Sequence, residues 1–311
     1  MPAHNAAPPS YGAHVASRAQ RPFARALWGV LLGATAFVVP TILAIYLTAD
    51  TQVIGPRTVR DLLGYFARYN YDLTAVAAGR DNAPRLFLED LPKDWRGIAQ
   101  ADERKRAFVM VVLPLVLREN ERLLEVRARL LDIEKKMAAG GTLPAGERRW
   151  LDRLAASYRL KTADIKTLKA RVDVVPPSLA IAQAAIESGW GASRFAAAGN
   201  ALYGQWTEQG ANALVPAERD PGRTYAIRRF ASLADSVASY MKNLNTHAAY
   251  RAFRALRADL RARGETLDGA ALAVRLKSYS AQGLDYVEAI QAIIDKNGLG
   301  ELDRARLRSQ G

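Results

Sequence analysis

A mainly α-helical fold with a small β component (α+β) is predicted by three features of this sequence. From about Ala101 a long helical pattern begins, with apolar residues returning at three- and four-residue steps. A Pro pair, Pro176–Pro177, opens an alanine-rich apolar run that stops at Gly189 and Gly191. Strand-like pieces are short: "ALVPAE" and "RTYAIRRF", joined around "RDPG", read as one small hairpin.

The chain has 311 residues, enough for one sizeable domain with appendages or two modest ones. Half of its residues are hydrophobic, which is ample for a packed core. It carries 44 Lys+Arg against 31 Asp+Glu, a formal charge of +13. That balance suits an anionic partner such as nucleic acid, lipid head groups or an acidic wall polymer, and equally a solvated basic surface. The basic residues are scattered and no nucleic-acid recognition motif is present, so a nucleic-acid role is not supported. Cysteine is absent, which excludes disulfides and thiolate metal sites. With only His4, His14 and His247, a histidine metal site is disfavoured, and no metal or organic cofactor is implied.

In chain order, residues 1–25 are rich in Ala, Pro, Ser and Gly, lack acids, and read as a disordered cytoplasmic arm. Residues 26–49, "ALWGVLLGATAFVVPTILAIYLTA", contain no charge and are long enough to cross a hydrocarbon core of ~30 Å as a helix. Trp28 and Tyr46 stand near its ends, where amphipathic rings favour the interface. The run exceeds the ~7–15 apolar residues of a cleavable signal peptide, so an uncleaved signal-anchor is expected. Arg18, Arg21 and Arg25 precede it without an acid, whereas the charges after it cancel. The arm is therefore expected in the cytoplasm and the rest of the chain outside, at a bacterial inner membrane facing the periplasm.

Residues 50–174 read as an extracytoplasmic linker and helical supporting region. "PRLFLEDLPKDW" looks like an extended piece followed by a turn. "AFVMVVLPLVL", 107–117, is too short to span a membrane and reads as a buried helix that Pro114 bends. Leu123, Val126, Leu130, Ile133 and Met137 continue an apolar stripe, expected to pack on the chain's own helices. "AAGGTLPAGE" breaks the pattern, and shorter helices follow at about 145–158 and 162–172. Residues 175–298 form the expected chemistry-bearing domain and 299–311 a basic tail.

Within that domain Ser178 is the expected N-cap of an apolar helix, and Glu187 falls in its last turn. The helix dipole presents partial negative charge at that end, and the nearby Trp190 and Trp206 exclude water. Both effects disfavour a carboxylate and raise its pKa. A protonated acid near neutral pH is what a glycosidase needs to protonate its leaving oxygen. Lysozyme's glutamate in an apolar pocket follows the same logic. The plainer reading is a helix-end glutamate paired with one of the many arginines.

"LAIAQAAIESGWGASRF" followed by "GNALYGQW" resembles the glucosaminidase family of the lysozyme superfamily, glycoside hydrolase family 73. "YAIRRFASLADSVASYMKNLNTHAAYRAFR" and "LKSYSAQGLDYVEAIQAII" are similar to its downstream strand, helix and closing tyrosine segment. "PRLFLEDLP" and "LPLVLREN" resemble the membrane-anchored Bax-type branch. The resemblance spans roughly residues 80–295 and implies a lysozyme-like helical domain with a small β-hairpin. It implies that Glu187 is the catalytic acid of an endo-β-N-acetylglucosaminidase acting on peptidoglycan glycan strands. Asn200, Leu202, Tyr203 and Gly204 match the family's Asn-Leu-Phe-Gly element, with Ala201 in place of a second Asn and Tyr203 in place of Phe. Trp190, Tyr203 and Trp206 are candidate sugar platforms, and Tyr279 and Tyr286 flank the last cleft segment. The family often places a second acid in the hairpin. Glu218 lies closest to that place, with Asp220 and Glu208 as a turn and a loop residue.

Two alternatives stand beside this reading. A lytic transglycosylase shares the lysozyme-like helices and the Glu-Ser pair, and "YSAQG" is similar to its Tyr-Asn-Ala-Gly element. Such enzymes usually carry Gly-Leu-Met-Gln where this chain has "NALYGQW". The other alternative is an inactive, membrane-tethered glycan-binding or scaffold protein.

Overall fold

The computed structural model describes residues 52–208, 210, 213–215 and 225–309. The expected arm, the expected membrane span at 26–49, Glu218 and Asp220 lie outside the described residues. Among the described residues, no helix is long and apolar enough to cross a membrane.

Strand β1 (Gln52–Ile54) pairs in parallel with β2 (Leu86–Leu88), Val53 opposite Phe87. Helices α1 (Val59–Arg68) and α2 (Leu73–Ala77) lie between them in sequence. "PRLFLEDLPKDW" thus supplies a buried strand and then a 3-10 turn at Trp95–Gly97.

Helix α3 (Ala101–Ala138) continues through Pro114 for 38 residues, ~57 Å at the α-helical rise. Its residues from Ala107 to Leu117 are all buried, as a helix apolar on every side must be. Further along, the apolar stripe divides. Leu123 joins the main core, whereas Leu130 and Ile133 enter a smaller one with Leu151, Tyr158 and Leu168. That second core belongs to α4 (Ala145–Ser157) and α5 (Ile165–Arg171), and Met137 stays exposed.

Next come α6 (Pro177–Ser188), α7 (Arg194–Gly199), β3 (Trp206–Glu208), β4 (Ala213–Leu214) and β5 (Tyr225–Arg228). The chain closes with α8 (Leu233–Thr246), a 3-10 turn (Ala248–Tyr250), α9 (Arg251–Ala262), α10 (Gly269–Ala273), α11 (Leu284–Lys296) and a 3-10 turn at Leu299–Arg304. The fold is mainly helical with two small sheets. The expected hairpin is one half of a three-stranded antiparallel sheet. β5 is its middle strand, with Leu214 and Trp206 both paired to Ile227. The extra strand forms because β5 offers a second edge, and the chain leaving Gly204 runs antiparallel along it.

Helix α6 is the hub, packed against α3, α10, α11 and the final 3-10 turn. Its start differs from the expectation. Ser178 is not the N-cap, because Pro177 occupies the first helical position, where a missing N–H costs nothing. Ser178 instead donates its backbone N–H and its hydroxyl to Asp303, each at 2.8 Å. A carboxylate from the far end of the chain thereby caps the helix and complements its dipole.

The chain entering α6 is clamped from two sides. Asn120 of α3 exchanges two hydrogen bonds with the backbone of Val175, at 2.8 and 3.1 Å. Fully buried Arg257 of α9 donates to the carbonyls of Ala170, Asp173 and Val174. The main core draws its buried residues from two stretches, Ile54 to Leu123 and Val175 to Leu307, so the region before α6 and the region from α6 onward share one core. Leu299, Leu302 and Leu307, beyond residue 298, also contribute to it.

Candidate active site

Glu187 occupies the last turn of α6, which ends on Gly189 in the left-handed conformation. Trp190 and Gly191 follow at φ 56° and 79°, so three successive left-handed residues reverse the chain. For a tryptophan that conformation costs about 1–2 kcal/mol, and the surroundings hold it in place. Its carbonyl accepts from the Trp95 indole at 2.9 Å, and its ring meets Phe108 edge-on at 5.8 Å. A side chain at Gly191 would stand 2.7 Å from the same indole nitrogen. The Ser188 hydroxyl donates to the Ala184 carbonyl at 2.6 Å and accepts the Gly191 N–H at 2.9 Å. Each letter of "ESGWG" after the acid is therefore explained by the turn that delivers the acid.

The carboxyl of Glu187 is half-buried, and among the described residues no cation contributes to its titration. Burial raises its pKa above 4.5, and a hydrogen bond from Tyr286 opposes that rise without cancelling it. The arginine pair of the plainer reading is not found here among the described residues. The Tyr286 hydroxyl donates to Oε1 at 2.8 Å. Gly204 lies against Oε2, where an added Cβ would sit 2.8 Å from that oxygen, and its φ of 57° also favours glycine. With Oε1 held by Tyr286, Oε2 is the oxygen left to carry a transferable proton.

Behind Glu187 runs a buried relay with one direction of donation. The Tyr240 hydroxyl donates to Gln183 Oε1 at 2.7 Å, and Gln183 Nε2 donates to the Tyr286 oxygen at 3.0 Å. Burial pushes the phenols of Tyr240 and Tyr279 well above 10, so both remain neutral donors. The rings pack in two stacks, Tyr203 on Tyr240 at 3.9 Å and Tyr279 on Tyr286 at 5.5 Å. The Tyr279 hydroxyl ties the stacks together by donating to the Tyr203 carbonyl at 3.1 Å.

Glu187 opens into a cleft of about 1080 Å³ between the sheet, α8 and the Tyr279 segment. Tyr203, Gly204, Trp206 and Tyr279 line it; Trp206 on β3 is largely exposed, whereas the Tyr203 ring, a candidate sugar platform, is almost fully buried against Tyr240. Tyr286 stands behind the acid rather than in the wall. Trp190 and Asn200 are not among the lining residues. Trp190 packs against the core, and Asn200, buried at the C-cap of α7, donates from Nδ2 to Asp90 at 2.7 Å. Both stand in the left-handed conformation where the chain reverses, at φ 56° and 54°. The Tyr203 hydroxyl has no partner among the described residues, so the ring is what this position uses, as the family's Phe would. Among the described lining residues, Glu187 is the only carboxylate.

Gln183, Tyr240 and Tyr250 belong to the site and were not anticipated. The one available signal was Gln183 itself, a polar residue in an apolar helix, one turn before the acid and hence on its face.

The sequence matches the glucosaminidase family, described as mannosyl-glycoprotein endo-beta-N-acetylglucosaminidase, over residues 162–299. It is 34% identical over 224 residues to protein Bax of Escherichia coli (strain K12), covering 70% of this chain and 77% of that one. Among solved structures it is similar to the catalytic domain of the autolysin Auto from Listeria monocytogenes. That likeness has 18% identity and a TM-score of 0.32, covering 55% of this chain and 96% of that one.

Proposed function

The chain belongs to the glucosaminidase family, glycoside hydrolase family 73, and from that premise we propose a membrane-anchored endo-β-N-acetylglucosaminidase that cuts peptidoglycan after N-acetylglucosamine. The observation that carries this reading is Glu187: half-buried, raised in pKa, without a cation partner among the described residues and open to a glycan-sized cleft. Oε2 gives its proton to the leaving glycosidic oxygen as the bond to the anomeric carbon breaks. Tyr286 steadies Oε1 and the carboxylate that remains. Trp206, largely exposed, and Tyr279 offer aromatic surface along the cleft for sugar rings, whereas the Tyr203 ring is buried against Tyr240.

In this proposal Glu218, on the connection from β4 to β5, activates the water. A separation of ~6.5–9.5 Å between the two carboxyls would give inversion, and ~5–5.5 Å a covalent intermediate with retention. A second route uses the substrate's own N-acetyl group in place of Glu218. The anchor rests on the uncharged run of residues 26–49, with the arginines before it keeping the N-terminus cytoplasmic and the enzyme periplasmic.

The test is solubilisation of purified sacculi by the full-length chain beside Glu187→Gln. Loss of a general acid predicts a fall of roughly 10²–10⁴-fold in rate with the fold intact. A Glu187→Gln protein that solubilises sacculi at the unsubstituted rate would refute the assignment.

A further inference from the structure

Away from Glu187, the same cleft is bordered by four cations from four parts of the fold. Arg122 comes from α3, Arg159 from the residues after α4, Arg228 from β5 and Lys242 from α8. Arg122 is paired along its own helix with Glu119 at 2.6 Å. Among the described residues the other three have no ion pair. Arg228 reaches Ser239 Oγ and Lys242 reaches Ser157 Oγ, both at 3.4 Å.

Lys242 is the most telling of the four. It is half-buried, with its ammonium 3.3 Å from the centre of the Tyr158 ring. Burial, with Arg122 alongside, pushes its pKa down to about 8. Among the described residues Glu119, paired with Arg122, is the carboxylate that acts on Lys242. With Arg159 also acting on it, the cations outnumber that one anion, an arrangement that a further anion would relieve. Nor do these cations serve Glu187. Its titration is set by burial and Tyr286, and a nearby cation would favour the ionised form and disarm the acid. The basic wall and the proton donor line the same cleft.

Resting on the peptidoglycan reading above, we propose that this wall is a subsite for the carboxylates of the acidic peptide stems borne by the muramic acid beside N-acetylglucosamine. The chain then prefers stem-bearing strands to denuded glycan. Unsubstituted sugar rings offer nothing to four cations, whereas a stem presents several carboxylates within one residue of the scissile bond. Contributions from several exposed charge pairs combine to about tenfold in affinity.

The experiment measures binding of the full-length Glu187→Gln chain, which does not turn substrate over, to soluble strands with stems and to strands stripped by an amidase. Stem-bearing strands are expected to bind about tenfold more tightly, less so at high salt. Adding Arg159→Gln and Arg228→Gln, both exposed positions, is expected to bring the ratio toward one, while Lys242→Arg retains it. Equal affinity for the two strands, or a ratio indifferent to the arginine substitutions, would overturn the subsite. Binding to both strands without preference removes the subsite alone. Failure to bind either strand removes the peptidoglycan reading as well.

Discussion

At the scale of single residues, the proposed function rests on the balance at one carboxyl. Burial raises the pKa of Glu187, and the Tyr286 hydroxyl, donating to Oε1, partly offsets it by favouring the ionised form. Tyr286→Phe leaves burial unopposed. Because activity needs the protonated acid, the alkaline limb of kcat/KM is expected to move to higher pH, as a pH–rate profile will show. A shift to lower pH would contradict this assignment. The same balance has a stability counterpart. Between the ordinary value of 4.5 and the raised folded value, the native state holds more protons than the unfolded chain, so stability declines as pH rises through that window. The placement of Glu187 was legible in the sequence because a helix end and its glycines are local signals. The relay was not. Gln183 meets Tyr240 and Tyr286 across 57 and 103 residues, and such pairings have no local pattern.

At the scale of elements, the catalytic helix is held by its entry as much as by its faces. Asp173, just before α6, is buried among Arg261 at 3.0 Å, Arg127 at 3.6 Å and Arg257 at 4.0 Å. Burial raises its pKa, but the three guanidinium groups outweigh it and hold the carboxyl below 3.8. A depressed pKa stabilises the fold above the unfolded value and loses that effect as pH falls through the folded value. Asp173→Asn leaves Arg257 without its counter-charge and is expected to cost roughly 3–5 kcal/mol in neutral denaturant titrations. The deficit should narrow in acid, and a deficit independent of pH would contradict the network's role. The helical periodicities of α3 to α6 were readable, since apolar spacing reports burial directly. The third strand and the cap from Asp303 were not, because both depend on partners distant in the chain.

At the scale of the whole molecule, one core from Ile54 to Leu307 supports the site. The long helix α3 contributes to the floor under α6 at one end and to the basic wall, through Arg122, further along. A net charge of +13 thereby acquires a local meaning at the cleft, in addition to any attraction of the wall polymer for the surface. The motif-bearing third of the chain announced a glycosidase, whereas the cationic wall did not stand out, because its members are separated in sequence by up to 120 residues (Arg122 to Lys242). The measurement that bears most directly on the whole account is mass spectrometry of the ends released from sacculi by the full-length chain. Reducing N-acetylglucosamine ends, absent with Glu187→Gln, are the predicted result. Anhydro-muramic ends would contradict it and identify a lytic transglycosylase.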